Sequence, residues 1–131
     1  MFAYLPRYFL PMLCVLLLGG CGATAPVMNI DSAPIKTSSS TSNLSDIRGA
    51  LSAALGNKGW KIKDAGQHSM TATRQKDGKI ATVRAAFSQQ SYSITYIDSS
   101  NLGYDGSNIN AEYNDWLADL DLEIKHQLNR L

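Results

Sequence analysis

The stretch Met70-Thr71-Ala72-Thr73-Arg74-Gln75-Lys76-Asp77-Gly78-Lys79-Ile80-Ala81-Thr82-Val83-Arg84-Ala85-Ala86-Phe87 decides the fold. Met70 and Ala72 alternate with Thr71 and Thr73, and Ala81, Val83, Ala85 and Phe87 alternate with Thr82 and Arg84. That two-residue period places apolar side chains on one face of a strand and polar ones on the other. Asp77-Gly78 between the runs favours a tight hairpin, because both central residues tolerate positive φ. Outward from the hairpin, Gln89-Gln90 reverses the chain into a run with Tyr92, Ile94 and Tyr96 on one face. On the other side, Gly59-Trp60-Lys61-Ile62-Lys63 alternates apolar and basic residues and turns at Ala65-Gly66. Four antiparallel strands are expected.

Helical spacing brackets these strands. Leu44, Ile47, Leu51 and Leu55 recur three or four apart, with Asn43 or Ser42 as the cap and Gly56 placed to end the helix. Ser99 to Asn108 is loop by composition, and Ile109, Tyr113, Trp116, Leu117, Leu120, Ile124, Leu128 and Leu131 then form a second apolar stripe. The expected fold is α+β: helix, four-stranded antiparallel sheet, helix, with both helices on one face. This small domain spans residues 43–131.

The first residues have another character. Arg7 is followed by an uncharged apolar run to Leu18, too short to cross a membrane and interrupted by Pro11. Leu18-Gly19-Gly20-Cys21 resembles the bacterial lipobox. The resemblance implies a signal peptide over 1–20, cleavage before Cys21, and acylation of Cys21, which anchors the chain in a membrane. Cys14 leaves with the signal, so the mature chain keeps no thiol for a disulfide. Residues 21–42, rich in Ser, Thr, Ala and Pro, read as the lipidated cysteine and a flexible tether holding the domain roughly 25 Å from the lipid. Val27, Met28, Ile30 and Ile35 are the residues of that tether able to dock on the domain. Gly22 is not the aspartate that retains many enterobacterial lipoproteins in the inner membrane, and the resemblance to that sorting rule implies the periplasmic face of the outer membrane as the expected location.

The chain carries 12 Lys or Arg and 11 Asp or Glu, unevenly laid out. From Arg48 to Arg84 the balance is +6, and from Asp98 to Glu123 it is −7. The halves either attract each other on folding or leave a basic surface for lipid headgroups or an anionic polymer. Nucleic acid is not an expected partner. His68 and His126 have no partner at metal-ligand spacing, and no phosphate loop, zinc pattern or nucleophile elbow is present. Asp115, Asp119 and Glu123 read as a solvated helix face, with Asp121 paired to Lys125. No catalytic residue, metal or cofactor is assigned. Tyr92 to Trp116 interleaves five aromatics with Asn and Asp. It reads either as a packed seam or as a recognition surface for a protein or glycan, with Tyr104, Asn101, Asp105 and Tyr96 as the candidate contacts.

Gly59-Trp60, the run from Tyr92 to Tyr104, and Tyr113-Asn114-Asp115-Trp116 together resemble an uncharacterised family of small proteobacterial lipoproteins. The resemblance covers nearly the whole mature domain and implies the anchor and the order of elements, but no activity, cofactor or catalytic residue. The expected role is a non-enzymatic binding module of the cell envelope; the alternative is a structural accessory subunit of a membrane-bound assembly.

Overall fold

The computed structural model describes residues 23–39 and 42–131. The central hairpin forms at the expected turn. Strands β4 (Ser69–Lys76) and β5 (Lys79–Phe87) pair without interruption from Ser69 opposite Ala86 to Lys76 opposite Lys79. Asp77 and Gly78 take φ of 52° and 79°, the positive pair that such a turn requires. Strand β3 (Trp60–Ala65) pairs with β4 through a bulge between Ile62 and Asp64, and β6 (Ser91–Ser100) pairs with β5 through a second bulge that leaves Ile97 unpaired.

The sheet has five strands, not four. The additional strand, β2 (Ile30–Pro34), comes from the segment read as a tether and pairs antiparallel with β6, giving the order β2-β6-β5-β4-β3. Strand β1 (Thr24–Pro26), from the same segment, forms a separate two-stranded sheet with β7 (Asn108–Asn110). The reason lies in the backbone. Main-chain pairing needs few apolar side chains, and the ones available here, Val27, Met28, Ile30, Ala33 and Ile35, all pack on the core.

Helix α1 (Leu44–Asn57) starts at a capping box in which the Asp46 amide donates to the Asn43 side chain and the Asn43 amide donates to the Asp46 carboxylate. It does not end at Gly56. The helix runs on to Asn57, and the left-handed residue beyond the cap is Gly59, at φ 86°. Helix α2 (Ala111–Asn129) starts two residues later than the stripe suggested, because Ile109 belongs to β7.

One core joins these elements, apart from β1. Ile47, Leu51 and Leu55 of α1 and Tyr113, Leu117, Leu120 and Ile124 of α2 cluster with Met70, Ala72, Val83, Ala85 and Ile94 of the sheet. The fully buried alanines at 72, 81 and 85 let the helices approach the strands closely. The basic and acidic halves do meet: Lys58 pairs with Asp119 at 3.2 Å and Lys79 with Glu112 at 2.9 Å. Both pairs are partly solvated, so each contributes little to stability.

Candidate functional site

The aromatic segment divides by depth. Tyr92, Tyr113 and Trp116 are buried, Tyr96 is half-buried, and Tyr104 is 41% exposed. The Trp116 ring meets Trp60 edge-on at 6.3 Å and carries the Arg74 guanidinium 4.7 Å from its centroid. Three tyrosines stack from the core to the surface: Tyr113 lies edge-on to Tyr96 at 5.6 Å, and Tyr96 lies under Tyr104 at 4.4 Å. Tyr96 is held on both sides, its amide donating to the Asn29 side chain and its hydroxyl meeting the Ser99 hydroxyl at 2.6 Å. Burial is the main reason its phenol is harder to ionise than usual.

The loop that carries Tyr104 is closed by hydrogen bonds. The Asn110 amide donates to the Leu102 carbonyl, the Asp105 amide to the Asn108 carbonyl, and the Val27 amide to the Ser107 carbonyl. Leu102 is buried beneath it. Positive φ at Asn101, Gly103 and Gly106 bends the chain sharply around the ring. Asn101 donates its amide to the Gly78 carbonyl at 2.7 Å, which ties the loop to the β4–β5 turn. The Asp105 carboxylate accepts from the Asn108 and Ser107 amides at 2.7 and 2.9 Å, and these bonds lower its pKa. Asn101 and Asp105 therefore shape the loop, and Tyr104 is the large side chain it presents. Among the described residues, a 3.3 Å bond from its own hydroxyl to the Gly106 carbonyl is what holds the polar end of the ring. All four candidate contacts come together at this one corner, while Cys21 lies outside the described residues.

Two asparagines act as clamps between distant segments. Asn114 accepts from the Met28 amide and donates to the Pro26 carbonyl, both at 2.9 Å, and Asn29 bonds the backbone of Tyr96 as above. An asparagine five residues after Ile109, where the apolar helical stripe begins, was the available signal for the first.

The helix carboxylates are engaged structurally. Asp121 accepts from the Tyr92 hydroxyl and from Lys125, and Glu123 accepts from Gln127 and Asn57, bonds that keep its carboxyl below the usual range. Among the described residues, no group of three or more His, Cys, Asp or Glu is placed to hold a metal ion, and no helix is long and apolar enough to cross a membrane. Comparison with family models, curated proteins and solved structures yields no match.

Proposed function

We propose that the protein is a non-enzymatic envelope lipoprotein of the type its sequence resembles, anchored through lipid on Cys21 at the periplasmic face of the outer membrane. Its domain binds an envelope protein or polymer through the Tyr104 corner. Both helices are read as covering one face of the sheet, which leaves the loops, the edges and the uncovered face for recognition. The observation that carries the binding reading is Tyr104 itself: an exposed aromatic ring, stacked on Tyr96, on a loop already fixed by backbone hydrogen bonds. A preorganised ring with a polar end offers contact area at little entropic cost. The accessory-subunit reading draws on a different feature, the groove of about 590 Å³ between β2 and α2, where Leu122 is 68% exposed.

Affinity capture from detergent-solubilised membranes tests the binding reading. Tyr104→Ala is expected to keep the melting temperature within a few degrees of wild type and to lose the partner that wild type retains. A large drop in melting temperature would place the ring in the core, and unchanged capture would remove it from recognition. The anchor is tested by palmitate labelling: Cys21→Ser abolishes the label and leaves uncut precursor, whereas Cys14→Ser alters neither. Density-gradient fractionation with inner-membrane markers would contradict the location.

A further inference from the structure

The chain joins the fold almost at once. The Ala23 carbonyl accepts from the Ala111 amide at 3.1 Å, and Thr24 already pairs with Asn110. Only Gly22 separates Ala23 from Cys21, a span of at most about 7 Å between their Cα atoms. A lipid on Cys21 therefore holds one particular end of the domain against the bilayer rather than suspending the domain above it.

Contacts identify that end. Beside Ala111, Glu112 pairs with Lys79, which lies opposite Lys76 across the β4–β5 turn. Lys76 and Asp77 line a groove of about 650 Å³ together with Lys61, Lys63, Thr73 and Gln75. Lys61, Lys63 and Lys76 are exposed and make no ion pair among the described residues, although the charge of Lys76 also reaches Glu112. The acids nearby are Asp77 in the groove, Asp64 on β3, and Glu112, already taken by Lys79. The other basic residues of this half are largely committed: Lys58 to Asp119, Arg74 to the Trp116 ring, and Arg48 to the carbonyls of Gly66 and Gln67.

We propose that the groove of Lys61, Lys63 and Lys76 seats the headgroups of anionic phospholipids in the leaflet that holds the anchor. The inference rests on the lipidation of Cys21 proposed above. Position and charge agree: the groove shares an end of the domain with the anchor point, and it carries three cations against one acid. Lysines near a charged bilayer surface each contribute to attachment, and contact with two features fixes orientation where a single lipid leaves the domain free to swing.

The test uses the full chain, exported and lipidated, with Gln75→Cys introduced. Because Cys14 is removed with the signal and Cys21 is alkylated, the new cysteine is the only free thiol and takes a fluorophore. A matched label at His68→Cys reports the other end of β4. On phosphatidylethanolamine vesicles containing phosphatidylglycerol, acrylamide quenching of the residue 75 label is expected to fall several-fold relative to the residue 68 label. That protection is expected to disappear on vesicles without phosphatidylglycerol, and in the Lys61→Gln, Lys63→Gln, Lys76→Gln variant. Equal quenching at both sites in protein that carries palmitate overturns the headgroup contact and leaves the anchor standing. No palmitate at Cys21 overturns both. Protection by peptidoglycan sacculi but not by phosphatidylglycerol assigns the groove to a wall polymer and overturns the headgroup assignment.

Discussion

Tyr113→Ala is expected to cost about 3–5 kcal/mol, close to the whole stability of a domain this small. The ring is fully buried in the single core and touches Tyr96 edge-on. Truncation leaves a void beneath the Tyr96–Tyr104 stack that fixed strands and a fixed helix cannot close. The hydroxyl behaves differently from the ring. It is buried without a hydrogen-bond partner, and burial raises its pKa. Tyr113→Phe should therefore be neutral or stabilise the domain by about 1 kcal/mol, since it removes a desolvated group that gains nothing in return. The pH dependence follows from the same raised pKa. The contribution of the neutral phenol is intact below the unfolded value of about 10 and is lost as pH rises toward the higher folded value. Tyr113→Phe should consequently unfold less readily than wild type in strong alkali. Urea unfolding at neutral pH checks the first pair of values, and a loss below about 1 kcal/mol for the alanine variant would take the ring out of the core.

What was legible in the sequence was what depends on near neighbours. Asp77-Gly78 specifies its turn by its own backbone preferences, so β4 and β5 could be read together as a hairpin. The stripes of α1 and α2 repeat every three or four residues within one element, and Tyr113, Trp116, Leu117, Leu120, Ile124 and Leu128 all proved buried. The end of α1 was misplaced because two glycines lie three residues apart and only Gly59 adopts the left-handed conformation. Tyr104 was recognisable as a loop ring from its flanking glycines. A basic surface within residues 48–84 was legible from the charge layout, but which lysines line it was not, because Lys61 and Lys63 reach Lys76 only through the pairing of β3 with β4. Strand β2 left the least trace. Its partner, β6, lies more than fifty residues away, and of Ile30-Asp31-Ser32-Ala33-Pro34 only Ile30 is buried. A sequence of that kind has the composition of a linker, and its role as a strand is conferred by the unpaired edge of β6.

That edge makes a demanding experiment of the N-terminal segment. Deleting residues 23–35, so that Gly22 is followed by Lys36, is expected to abolish cooperative unfolding, whereas removing a true tether would leave the melting temperature unchanged. The deletion strips Ile30 from the core and Val27, Met28, Ala33 and Ile35 from its margin. It also breaks the Asn114 clamp on Pro26 and Met28, the Asn29 bond to the Tyr96 amide, and the bond from the Ser32 amide to the Ser93 hydroxyl. Burying Ile30 alone accounts for about 2–3 kcal/mol, and each lost hydrogen bond for about 1 kcal/mol more. The sum reaches the lower end of the stability that a small domain possesses. The exposed edge of β6 would then offer unpaired amides and carbonyls beside Tyr92 and Ile94, so the variant is also expected to aggregate. Asn114→Ala gives a graded version of the same test. It removes both bonds of the clamp without touching the strands and should cost about 1–3 kcal/mol. If the deletion melted like wild type, residues 23–35 would be a linker after all, and the short link that brings the lysine groove to the bilayer would lengthen by thirteen residues.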